Sequence, residues 1–147
     1  VSKGTVLKGT VLKKIKGLFN AHSCVELAYL FGSMARGGRG KLSDVDVGVY
    51  LNDALIKEER DEEMLNILSG IVSLLKTDKV DLVVMNDAPV SLNYEIIKCN
   101  APLFMRDGGK KIDVEQRILS RYLDRRYHEK MASDIFLRKV MEKGITY

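Results

Sequence analysis

A chain of 147 residues, 46% hydrophobic and 30% charged, has the size and balance of one ordinary globular domain. No apolar run approaches the roughly 18 residues of a membrane span, and the lysine-bearing N-terminus lacks the apolar core of a signal peptide. A net charge of +4, from 24 basic and 20 acidic residues, suits a small anionic ligand but does not argue for nucleic acid; Cys24 and Cys99, without redox or metal spacing, point to a reducing cytoplasm.

Leu7, Val11, Ile15, Leu18 and Phe19 recur at helical spacing and predict an amphipathic helix over about 5–20. The Gly-Thr-Val-Leu-Lys repeat at 4–8 and 9–13 is too short for a solenoid. Val25–Phe31 is an apolar run of strand length, followed by Gly32-Ser33 and a glycine- and arginine-rich loop over 36–43. Asp44–Leu51 alternates, with Val45, Val47, Val49 and Leu51 on one side and Asp44, Asp46, Gly48 and Tyr50 on the other. Asn52 or Asp53 is placed to cap a helix over about 55–76, whose apolar face reads Met64, Leu65, Leu68, Ile71, Val72 and Leu75. Lys79–Met85 is a third strand, Pro89 opens a helix reaching about Lys98, and Leu103–Arg106 is a fourth short strand closed by Asp107-Gly108-Gly109. From Ile112 to about Lys143 neither proline nor glycine interrupts one long helix. The expected fold class is α+β. Residues 1–110 would form the main body and 111–147 a helical extension of the same domain.

The chemistry concentrates at Gly32-Ser33, a ten-residue spacer, and Asp44-Val45-Asp46. Two carboxylates two apart on a strand project from one face, about 6–7 Å apart. Without a cation they repel; with Mg²⁺, which seeks oxygen ligands, the same pair becomes a binding site. Asp44 and Asp46 are therefore the expected metal ligands, and two ions would serve both the attacking and the leaving oxygen of an in-line displacement. A third carboxylate is expected on the neighbouring strand. Asp81, a charge inside Val80-Asp81-Leu82-Val83-Val84, is the candidate, and an exposed edge position is its alternative. Asp81 would take the incoming hydroxyl's proton directly or hold the metal that lowers its pKa. Gly32 permits close backbone approach to a phosphate, Ser33 offers a hydroxyl donor, and Arg36 is the nearest cation for a triphosphate.

Phe31-Gly32-Ser33-Met34-Ala35-Arg36-Gly37, Ser43-Asp44-Val45-Asp46 and the Val80–Val83 strand together resemble the minimal nucleotidyltransferase family of the DNA polymerase beta-like superfamily. The motifs cover about 25–85, and size and element order extend the likeness to about 107. The resemblance implies a nucleotidyltransferase fold, which is a short mixed sheet flanked by helices, with triphosphate binding at Gly32 and Ser33, metals at Asp44 and Asp46, and Asp81 as the third acidic residue. It further implies an antitoxin that moves AMP from ATP to a tyrosine of a HEPN ribonuclease toxin. Two other readings stay open, transfer to a small molecule such as an aminoglycoside and neutralisation of a toxin by binding alone.

Arg121 and His128 fall within the arginine–histidine spacing of HEPN ribonucleases, but a single helix is not a HEPN scaffold. The mixed charges around Tyr122 and Tyr127 read as a solvated helix with a packed stripe rather than an RNA surface. Tyr122, Met131, Ile135 and Phe136 give this helix more apolar surface than a four-stranded sheet covers, which predicts docking of the acceptor protein or of a second copy.

Overall fold

The computed structural model describes residues 9–32 and 45–144. Within them the chain runs α1 (Gly9–Ala21), β1 (Val25–Phe31), β2 (Val45–Leu51), α2 (Lys57–Leu75), β3 (Val80–Val84), a 3-10 turn (Met85–Asp87), α3 (Val90–Lys98), β4 (Pro102–Met105) and α4 (Gly108–Lys143). The strands lie in the order β3-β2-β1-β4. β1 is antiparallel to both β2 and β4, and β2 is parallel to β3, so the sheet is mixed as expected.

Both faces of the sheet are covered. Val45, Val47, Val49 and Leu51 pack with Leu82 and Val84 against Ile15 and Phe19 of α1 and Ile67 and Ile71 of α2. Leu27, Tyr29 and Tyr50 pack on the other face against Met85, Ile96 of α3, and Val114 and Ile118 of α4. The polar-looking half of β2 is thus a second core from Gly48 onward. Gly48 belongs there because a Cβ would press into Ile96, 3.0 Å from its Cδ1. A register shift between Val25 and Leu27 lets β1 serve both cores: Val25 and Ala28 face α1 and α2, while Leu27 and Tyr29 face α3 and α4.

Two helix readings need correction. α2 is capped neither by Asn52 nor by Asp53: Ile56 holds the N-cap position and its N–H donates to Glu59 at 2.9 Å. Asn52 instead closes the preceding turn by accepting from Ala54, and Asp53 is taken up by Tyr50 and Lys110. On the same helix Leu65 is 59% exposed while Ile67 is fully buried. Most of the expected face holds: Met64, Leu68, Ile71 and Leu75 pack with α1 and the sheet, and Ile67 joins them where Leu65 does not.

Side chains tie the ends of elements together. Arg106, just past β4, donates to the carbonyls of Val25, Phe19 and His22, placing a cation at the C-terminus of α1. Asn86 pairs with both the N–H and the carbonyl of Leu51 at 2.8 Å, docking the 3-10 turn on β2. Asp107 caps α4 by accepting from Gly109, so the helix starts four residues earlier than its apolar pattern suggests.

Candidate active site

β1 and β2 meet at their site ends through the pair Phe31–Asp46. The chain leaves β1 at Gly32 with φ of +76°, a left-handed conformation that favours glycine. Space makes the same demand, since a Cβ on Gly32 would collide with Asp46 Oδ2 and lie 3.1 Å from its Cγ. The turn glycine therefore makes room for the carboxylate.

Asp81 stands in register with Asp46 across the parallel β2–β3 pair. Their flanking residues Val45, Val47, Val80 and Leu82 all pack on the α1–α2 side, so both carboxylates point to the opposite face. Neighbouring strands lie about 4.8 Å apart, which puts the two side chains alongside one another. Asp81 is exposed and β3 is an edge strand, so the edge position and the shared face with Asp46 both hold. Ser33, Arg36 and Asp44 lie outside the described residues. Among the described residues no three acidic, histidine or cysteine side chains converge as a metal cluster; Gly32, Asp46 and Asp81 are the part of the expected site that is brought together.

About four residues along β2 from Asp46, a polar network occupies the other end of the same face. Tyr50 donates to Asp53 at 2.6 Å, Lys110 donates to the other Asp53 oxygen at 3.1 Å, and Arg117 donates to the Tyr50 hydroxyl at 3.1 Å. Burial pushes the Tyr50 phenol up, and its bond to Asp53 adds to that. Burial works against the Asp53 carboxylate, but the hydrogen bonds from Tyr50 and Lys110 outweigh it and hold the carboxyl below its ordinary range. Sequence reading missed this network, because its members come from β2, the loop after it and α4. No spacing along the chain links them.

His22 is half-buried at the end of α1 with Nδ1 3.3 Å from Glu63, and His128 is exposed on α4 with its ring edge-on to Tyr127.

The sequence model of the family described as polymerase beta, nucleotidyltransferase matches residues 13–108. The chain belongs to this family. The match begins in α1 and ends at the start of α4, so it encloses Gly32, Asp46 and Asp81. The nucleotidyltransferase is similar in fold to a chain from a mutant of the toxin–antitoxin pair MntA–HpeT, with 21% identity, 86% of this chain and 98% of that chain covered, and a TM-score of 0.67. It is similar also to a chain from a toxin–antitoxin crystal structure with AMP-PNP, with 22% identity, 86% and 98% coverage, and a TM-score of 0.64. A third likeness is to a chain from a tri-AMPylated Shewanella oneidensis HEPN toxin in complex with its MNT antitoxin, with 19% identity, 90% and 97% coverage, and a TM-score of 0.56. No curated protein matches the nucleotidyltransferase significantly. Among its described residues no helix is long and apolar enough to cross a membrane.

Proposed function

We propose that this nucleotidyltransferase moves AMP from ATP to a hydroxyl of a HEPN-type toxin protein and so acts as its antitoxin. The observation that carries the reading is the alignment of Asp46 with Asp81, with Gly32 cleared of any side chain beside Asp46. Support comes from the family match and from the solved complexes of similar fold, which include a nucleotide analogue and an AMPylated toxin.

The carboxylate pair and the space kept by Gly32 fit a divalent cation, with Asp44 the further ligand expected from its place two residues before Asp46. Bound Mg²⁺ supplies neutralisation of the triphosphate charge at Asp44, Asp46 and Asp81. Gly32 and Ser33 hold the triphosphate through backbone N–H and hydroxyl donors, and Arg36 adds a cation. The acceptor oxygen attacks the α-phosphorus as the bond to the β-phosphate bridging oxygen breaks, and pyrophosphate leaves. Asp81, exposed on the edge strand, receives the acceptor hydroxyl's proton.

α4 supplies the acceptor's docking surface. Every residue from 123 to 144 except Val140 is exposed, including Leu123, Tyr127, Met131, Phe136 and Leu137. At 1.5 Å per residue, this stretch extends about 30 Å beyond the last packed turn. The reading is tested by co-expressing the chain with a HEPN-type toxin protein and following transfer of α-labelled ATP. Label on the partner, absent with Asp46→Asn, supports it. Label only on a small-molecule acceptor, or toxin neutralisation unaffected by Asp46→Asn, opposes it.

A further inference from the structure

A cavity of about 310 Å³ opens on the α3–α4 face at the end remote from the carboxylate pair. It is walled by Tyr50 and Asp53 behind β2, Arg60 of α2, Asn93 of α3, and Arg117 and Arg121 of α4. The distance along β2 from Asp46 to Tyr50 is about 13 Å, so this concavity is separate from the nucleotidyl-transfer site.

Its charges do not cancel. Arg60 is consumed by a two-bond pair with Asp87, at 3.0 and 2.6 Å, and by the Leu55 carbonyl. Asp53 is matched by Lys110. Arg117 makes its hydrogen bond to the neutral Tyr50 hydroxyl and feels Asp53 and Asp113 only through space, and Arg121 makes no ion pair among the described residues. The two stand one turn apart on one face of α4. The N-terminus of α3, at Val90, also lines the cavity and carries no side-chain cap, so its first N–H groups add positive potential.

Asn93 supplies an independent sign of a missing partner. It is 8% exposed, its amide N–H donates to the Met85 carbonyl at 2.9 Å, and its Oδ1 is buried with no hydrogen-bond partner. Leaving a buried acceptor unsatisfied is costly, so folded proteins seldom keep one without use. The geometry points to a second ligand site here, for a small phosphate monoester that carries a hydroxyl or amino donor beside its phosphate. The dianionic phosphate matches two guanidiniums that make no ion pair among the described residues, and the neighbouring donor satisfies Asn93 Oδ1. A volume of about 310 Å³ is at the small end of ligand pockets and suits a sugar phosphate or mononucleotide.

The test is thermal melting in EDTA, which silences metal-dependent binding at the transfer site, with inorganic phosphate or ribose 5-phosphate against chloride of equal ionic strength. Millimolar ribose 5-phosphate should raise Tm by about 2–4 °C and move the Asn93 side-chain amide signal in NMR, with a smaller response to inorganic phosphate. Arg121→Ala, an exposed position with no fold contact to lose, should remove most of the shift, while Arg125→Ala and Asp46→Asn should keep it. Three results would overturn the proposal: no shift beyond the chloride control, a shift that survives Arg121→Ala, or one that needs Mg²⁺ and disappears in Asp46→Asn. None of these bears on AMP transfer itself, which is read separately with Mg²⁺ present.

Discussion

Gly32 and Asp46 compete for the same volume: the carboxylate occupies the space where a side chain on residue 32 would begin. The glycine is therefore fixed twice, by its +76° φ and by its neighbour. Gly32→Ala should cost at least about 1 kcal/mol, a Tm drop of roughly 2–4 °C in a domain of this size, and should abolish the stabilisation given by MgATP. A variant that melts and responds to MgATP like the wild type would refute this account of the turn.

The long helix divides near Tyr122 into a packed half and an exposed half. Val114 and Ile118 are buried in the second core, Glu115 accepts from Tyr29 at 2.6 Å, and Tyr122 stacks on Tyr94 with ring centroids 3.8 Å apart. Removing everything from residue 112 would unroof the sheet, so the informative truncation keeps residues up to 124. That protein should fold and retain its MgATP response while transfer to the partner protein falls at least tenfold. Full transfer by a folded truncation would move the docking surface elsewhere.

Arg60 and Asp87 pin α2 to the 3-10 turn, and the hydrogen bonds from Arg60 hold the Asp87 carboxyl below its ordinary value. A carboxylate whose folded pKa is depressed contributes stability above its unfolded pKa near 3.9, and that contribution is lost as pH falls through the folded value. Asp87→Asn should melt below the wild type at pH 6 and converge with it only as pH falls through the depressed folded value. Parallel melting curves across that range would mean the pair adds nothing.

Cys24 differs from a free thiol in a way labelling can read. Burial first, then the Glu63 carboxylate 3.4 Å away, push its thiol up to about 11. At pH 8 its thiolate fraction is on the order of a hundredfold below that of free cysteine. In a Cys99→Ser background, alkylation should be slower by that order, and should accelerate in Glu63→Gln. Labelling at the free-cysteine rate would contradict the burial and the carboxylate contact together.

Much of this architecture was legible in the residues. Val25–Phe31 was bounded without error because a continuous apolar run ends at a glycine, and the alternation from Val45 to Leu51 placed Asp46 on the correct face. Asp81 followed because a lone charge in a β-branched strand stands out. Most of the α2 stripe is legible too, in Met64, Leu68, Ile71 and Leu75; the exchange of Leu65 for Ile67 at its margin is not, because that choice depends on which layers the helix meets. The start of α4 was misplaced because Gly108 and Gly109 read as a turn, whereas the Asp107 cap carries the helix through them. The Tyr50–Asp53–Arg117 network and the cavity beside it were invisible, since both assemble residues far apart in the chain.

The central claim is that Asp46 and Asp81 form one catalytic carboxylate pair for AMP transfer. The most direct measurement is transfer of α-labelled ATP to the partner protein by wild type, Asp46→Asn, Asp81→Asn and the double variant, all checked for folding by melting. The account predicts that each single change lowers the rate by about a hundredfold or more and that the double variant is little worse than either, as for residues that act as a unit. An Asp81→Asn protein that labels its partner at the wild-type rate would contradict it.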